Sequence, residues 1–257
     1  MPTITLPRRR FHAIRGFFRN WLPRFYGWAV NNSLMRELYG KIKGQVVVQT
    51  GETPQEIFTA IYQHHHWDDG ESRSGGGSNL VATRRIRAAI PRLIEEFNIR
   101  TIFDAPCGDF HWFKEMNLPL DSYIGGDIVA PLIEENNRKY ARPDRSFLVI
   151  DITKDPLPDS DLLLNRDCLI HLTNDMVVDA LKNIAGSKIR YLLTTNYADC
   201  TMNADISPGQ YRPINLMLPP FNLPPPIRTI DDFADGFPPR QLMLWEVNTL
   251  VRCIGTR

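Results

Sequence analysis

From Arg100 to Val247 short apolar runs alternate with helix-length amphipathic stretches, and this alternation constrains the fold more than any other feature of the chain. Thr101–Asp104, Tyr123–Asp127, Ser146–Ile150, Asp161–Asn165, Tyr191–Thr195 and Gln241–Val247 read as strands. Ala130–Tyr140 and Asn174–Ile184 read as helices between them. Strands that are apolar along their length need both faces covered, so the pattern predicts an α/β fold with a mostly parallel sheet between helices. A chain of 257 residues with 43% hydrophobic content suits one such domain with an extension.

Two helices are expected upstream. One runs from Thr53 to about His65, with Thr53 and Glu56 forming a capping box and Pro54 in the first turn. The second runs from about Val81 to Phe97 with Ile86, Ile90, Leu93, Ile94 and Phe97 on one side. Between them lies a polar loop, Asp68–Ser78, that ends in Gly75-Gly76-Gly77-Ser78. The first 44 residues differ again: arginines 8, 9, 10, 15, 19 and 24 alternate with aromatic residues, and no acidic residue occurs before Glu37. Such a segment can lie on an anionic membrane surface or pack on the main domain with its arginines in water. The expected division is residues 1–66 as a helical, basic and aromatic extension and 67–257 as the main domain. The chain shows no secretory signal and no apolar run long enough for a transmembrane helix. A cytoplasmic protein is expected, membrane-associated if the basic segment docks on a surface. Net charge is +1, from 30 basic and 29 acidic residues, which argues against a chain-wide nucleic-acid surface. Cys107, Cys168, Cys200 and Cys253 form no CxxC pair, and adjacent His64, His65 and His66 point in different directions on a helix, so no zinc site is indicated.

In an open parallel sheet ligands bind beyond the carboxyl ends of the strands, at the point where strand order reverses. Asp104, Asp127 and Asp151 all fall at such ends, the first two 127 − 104 = 23 residues apart. That is close to the roughly 20-residue offset of a ribose-binding carboxylate. The first strand runs into Ala105-Pro106-Cys107-Gly108-Asp109-Phe110, a small-residue turn that lets backbone N–H groups approach a ligand. It lacks the GxGxxG that cradles a pyrophosphate, which disfavours a nicotinamide-dependent dehydrogenase.

Phe103–Phe110 resembles the first motif, D-x-G-x-G-x-G, of class I S-adenosylmethionine-dependent methyltransferases. Asp104 and Gly108 match, while Pro106 and Phe110 replace two glycines. Asp127 matches the acidic residue that holds the ribose, Asp151 the position near the adenine amine, and Asp161–Leu172 the fourth-strand motif facing donor and acceptor. The resemblance covers about Trp67–Trp245 and implies a Rossmann-like fold. Its cofactor set here is Asp104, Gly108, Asp109, Asp127, Ile128, Asp151 and Ile152. Within the superfamily, Trp67–Ser78 and Arg166–Leu172 are similar to a bacterial branch of which a subset methylates saccharide hydroxyls with a divalent metal.

The altered turn leaves room for other groups to hold the amino-acid end of the cofactor: N–H groups of Gly75–Ser78, or Arg73 through its guanidinium. Asp109 either meets the methionine amine or caps a following helix. His171, after the fourth strand, is the candidate general base, or else a loop-holding histidine. Asp167 is a candidate to orient His171, to hold Mg²⁺, or to cap a turn. Trp67, Trp112 and Trp245 are candidate acceptor walls or core residues. The proline-rich stretch Asn196–Pro226 is a candidate lid over the acceptor, or a surface wrap. The reading is an O-methyltransferase acting on a small-molecule or saccharide hydroxyl; the rival is a non-catalytic module of the same fold docked to a membrane or a partner protein.

Overall fold

The computed structural model describes residues 53–233 and 239–254, so the basic and aromatic N-terminal segment lies outside the described residues. Helix α1 (Pro54–Gln63) and helix α2 (Arg84–Glu96) lead into strand β1 (Thr101–Asp104). Strand β2 (Ser122–Asp127), helix α3 (Ala130–Tyr140), strand β3 (Arg145–Val149) and strand β4 (Leu162–Asn165) follow. Helix α4 (Asn174–Ala185), strands β5 (Tyr191–Asn196), β6 (Arg228–Asp231) and β7 (Gln241–Glu246), and helix α5 (Val247–Ile254) complete the order.

The strands form one seven-stranded sheet in the order β3-β2-β1-β4-β5-β7-β6. β1 to β5 pair in parallel, while β7 runs antiparallel to both β5 and β6. Strand order reverses between β1 and β4, so the carboxyl ends of those strands flank the crevice where a ligand would sit. Side chains alternate across the sheet. Ile102, Leu162, Leu164, Leu193, Leu242 and Leu244 pack with Ile86, Ile90, Leu93 and Ile94 of α2. Phe103, Leu163, Leu192, Met243 and Trp245 pack on the opposite face with Val177, Ala180, Leu181 and Ile184 of α4. Each such buried side chain contributes about 1.5–3 kcal/mol.

Two departures from the sequence reading matter for the site. No α-helix follows β1: among the described residues only a three-residue 3₁₀ turn, Phe113–Glu115, separates β1 from β2. An aromatic cluster fills that space. Phe110 is 1% exposed and places its ring 5.1–5.6 Å from those of Phe113, Tyr123, Tyr140 and Phe147. The second departure is β6, an edge strand with one buried side chain in four, too short and polar to stand out by alternation.

The α1 cap forms as its sequence dictates. Thr53 Oγ1 accepts from Glu56 N while Thr53 N donates to Glu56 Oε2. The helix buries Ile57 and Ile61 and ties to α3, with Gln55 donating to the Ile128 carbonyl and Tyr62 to Glu135.

Candidate cofactor and acceptor site

At the carboxyl end of β1 the chain turns through Ala105–Phe110, with Gly108 at φ +53°, a left-handed conformation that glycine adopts without steric cost. Every N–H of that turn has a partner inside the protein. Ala105 donates to the Leu164 carbonyl, Cys107 to Gly126, Gly108 to Asp127 Oδ2, Asp109 to Ser74 Oγ and Phe110 to Cys107. Pro106 has no N–H. The expectation that this turn offers donors to a ligand therefore meets a turn whose donors are already bonded.

Asp104 and Asp127 stand on either side of it. Asp104 is 2% exposed and accepts from the Tyr123 hydroxyl at 2.7 Å. Burial pushes its carboxyl up to about 7, helped by the nearby Asp127 charge and opposed by the Tyr123 hydrogen bond. Asp127 accepts from Val129 N on one oxygen and Gly108 N on the other, at 3.1 and 3.3 Å. Burial raises it to about 6 against its backbone hydrogen bonds. A carboxylate offers about four acceptor positions, so Asp127 keeps the capacity that a ribose hydroxyl needs. Ile128 follows it half-buried, and Ile152 is buried beyond β3. Asp151 accepts from Thr153 N and Oγ1 and lies 3.3 Å from Lys154 Nζ, so it caps its own turn.

Residues 67–78 cross over these strand ends as a strap. Asp109 fastens its middle: the carboxylate accepts from Ser72 Oγ, Arg73 N, Ser74 Oγ and His111 N. Asp109 thus docks the strap, and no α-helix follows for it to cap. Arg73 turns away toward α1 and α3. Its Nη1 donates to Tyr62 at 2.7 Å and lies 3.4 Å from Glu135, and its guanidinium sits 3.9 Å over the Tyr62 ring. Burial and the Glu135 hydrogen bond push the Tyr62 hydroxyl up to about 12.

On the β4–β7 side the strand-end carboxylates are ion-paired. Arg166 makes a bidentate contact with Asp232 at 2.8 and 3.0 Å, and Arg240 Nε adds a third contact at 3.1 Å. Asp167, at φ +54°, lies 2.8 Å from Arg240 Nη1 and 3.5 Å from Arg166 Nη1. Burial disfavours its charge, but the two guanidinium groups more than offset that and hold the carboxyl below its ordinary value. Arg166 Nη2 also donates to the Gly77 carbonyl. A Cβ at Gly77 would lie 2.9 Å from Asp167 Oδ2 and 3.4 Å from Arg240, so the strap approaches this ion pair at glycine distance only. Mg²⁺ does not fit at Asp167, because two guanidinium groups already stand against the carboxylate. Among the described residues no three His, Cys, Asp or Glu side chains converge to hold a metal.

His171 stands beside this network. Trp67 stacks on its ring at 4.6 Å and 28°, and Tyr211 lies 6.2 Å away. Its Nδ1 is 2.8 Å from the Gln210 carbonyl; in the neutral ring that nitrogen carries the proton and Nε2 the lone pair. The long segment after β5 is what supplies this partner. It runs beside the fourth-strand loop, with Gly209 N donating to the His171 carbonyl and Arg212 N to Ile170. Asn203 and Asn215 staple it, and Ile214, Leu216, Phe221 and Leu223 sink into the core, which makes it both a wall and a wrap. Trp245 is buried, donating to the Pro224 carbonyl, and Trp112 is buried beneath Arg166, so only Trp67 of the three tryptophans stands at the site. The sequence reading missed Arg240 and Asp232, which β6 and β7 bring here and which no local motif marks. Tyr197 and Tyr211 fall in the stretch expected as a lid or wrap, and Tyr211 Oη lies 3.3 Å from Tyr197 Oη.

No protein-family model and no curated protein matches the sequence. Solved structures do. The N-methyltransferase NodS from Bradyrhizobium japonicum WM9, in complex with S-adenosylhomocysteine, is similar with a TM-score of 0.55 and 11% identity, over 72% of this chain and 97% of that one. Magnesium protoporphyrin IX methyltransferase (ChlM) from Synechocystis PCC 6803, with bound S-adenosylmethionine, gives 0.53 and 13%, over 77% and 99%. At such identities the likeness is one of fold: strand order, antiparallel β7 and flanking helices together give this chain the Rossmann-like fold of the class I methyltransferases.

Proposed function

We propose that the protein is an S-adenosylmethionine-dependent methyltransferase, acting on a hydroxyl of a small molecule or saccharide. The observation that carries this reading is Asp127: a buried carboxylate at the end of β2, facing the β1 turn through Gly108 N, with acceptor capacity to spare. In this reading Asp127 accepts the ribose hydroxyls, Ile128 and Ile152 flank the adenine, and Asp151 lies near its amine. When bound, S-adenosylmethionine supplies a methyl group made electrophilic by its sulfonium. The chain aligns the acceptor oxygen for in-line attack and takes its proton. His171 Nε2 is the base. Gln210 fixes its tautomer, and Asp167, immobilised by Arg240, keeps a negative charge near the imidazolium that forms. The acceptor is uncharged at the reacting atom, and nucleic acid is not its class. Contact of the basic N-terminal segment with a membrane surface is part of the same proposal.

A second reading, a non-catalytic module of this fold, is favoured by one observation, the complete internal bonding of the β1 turn. Calorimetric titration with S-adenosylhomocysteine separates the two. Micromolar binding is expected, weakened roughly 10- to 100-fold in Asp127→Ala, the value of hydrogen bonds to a charged acceptor. No binding by folded wild-type protein would overturn the methyltransferase reading and favour the module.

A further inference from the structure

The strap reaches into the place where the proposed cofactor would put its amino-acid end. Ser74 Oγ accepts from Asp109 N at 2.9 Å and donates to Asp109 Oδ1 at 3.3 Å. It also fills the space over Gly108, where a Cβ in place of the glycine hydrogen would meet Ser74 Oγ at 2.3 Å. Asp109 N is the one N–H of the turn whose partner is a side chain of the strap. The others bond to the backbone of the sheet and turn or to Asp127. Freeing it thus leaves the sheet intact. Oxygen on that N–H is what a carboxylate would supply, and a hydroxyl supplies it here without charge.

The two ends of the strap are held separately. At one end Trp67 stacks on His171. At the other Gly77 rests on the Asp167–Arg240 pair, with its carbonyl bonded to Arg166. The segment therefore covers the turn and the proposed base together.

Resting on the cofactor reading above, we propose that the strap Trp67–Ser78 is a self-inhibitory plug: Ser74 Oγ occupies the carboxylate position of S-adenosylmethionine at Asp109 N–H. Entry of the cofactor exchanges one oxygen for another at that N–H and lifts Ser74 from Gly108. Because Trp67 belongs to the same segment, the movement that admits the cofactor also unstacks the indole from His171. The base becomes accessible only after the methyl donor has begun to bind.

The test measures S-adenosylhomocysteine binding by calorimetry and by stopped-flow tryptophan fluorescence, in the wild type, Ser74→Ala and Trp67→Phe. Removing the Ser74 hydroxyl frees Asp109 N–H, so Ser74→Ala is expected to bind 2- to 10-fold more tightly, roughly the factor of one net neutral hydrogen bond. The wild-type association rate should level off at high ligand concentration, limited by strap opening, with a higher plateau in Ser74→Ala. A fluorescence change on binding should be largely lost in Trp67→Phe. Unchanged or weaker binding by Ser74→Ala, with wild type binding normally, overturns the plug and leaves the cofactor reading standing. No binding by either folded protein overturns the cofactor reading and the plug with it.

Discussion

The two halves of the crevice treat the same residue type in opposite ways. On the β1–β2 side Asp104 and Asp127 are buried without a cation in contact, and both carboxyls rise, to about 7 and about 6. On the β4–β7 side the half-buried Asp167 and the buried Asp232 stand against Arg166 and Arg240, and Asp167 falls below its ordinary value. Desolvation acts on both sides; only the second has charges to offset it. An uncompensated carboxylate is stabilised by whatever hydrogen-bond donors a ligand brings, whereas a compensated one is a fixed wall. In the proposed reading the first half receives the cofactor, and the ion pairs of the second hold shape.

The largest test of that contrast removes a cation from the wall. Arg166→Met leaves Asp232, fully buried, with one guanidinium instead of two, and should cost about 3–5 kcal/mol in urea unfolding. A loss under about 1 kcal/mol would mean that the wall is not the rigid half. On the other side, raised carboxyl pKa values make the folded state bind more protons than the unfolded state between about pH 4 and pH 7. Stability of the unliganded protein should therefore decline as pH rises through that window and flatten above it. Asp104→Asn, which keeps an acceptor for Tyr123, should remove much of the slope in a melting-temperature series.

Ligand binding should show the reverse dependence. Ribose hydroxyls favour ionised Asp127, so affinity for S-adenosylhomocysteine should fall as pH drops through about 6, read by titration in buffers from pH 5 to 8. A flat profile would remove Asp127 from the proposed contact. The smallest effect is expected at Asp151, whose ionic partner among the described residues is the exposed Lys154: Lys154→Ala should change stability by less than about 0.5 kcal/mol.

All of the sheet but β6 was readable because the other strands are mainly apolar, and Asp104 and Asp127 stand out at the ends of two of them. Phe110 shows where such reasoning stops. It stands at a motif glycine, which suggests a damaged turn, yet its ring serves an aromatic cluster that replaces the helix expected after β1. Asp109 and Arg73 stand near the proposed cofactor by position, but their partners, Ser72, Ser74, Tyr62 and Glu135, are 11 to 62 residues away along the chain. Arg240 and Asp232 lie further still from the fourth-strand loop they neutralise. Pairings of that kind are set by topology, and a single sequence carries no local sign of them.

The strap also imposes an order on how the protein comes to be built. It precedes every strand that it closes, so its partners do not exist when it emerges during synthesis. Its attachment to Asp109 becomes available after 35 further residues and that to Arg166 after 89 from Gly77, while the Arg240 contact waits for the start of β7. Loop-closure entropy rises only slowly over such lengths, so the delay is one of timing more than of energy. Until those partners are made, the glycine-rich segment lacks the contacts that seat it over the finished sheet.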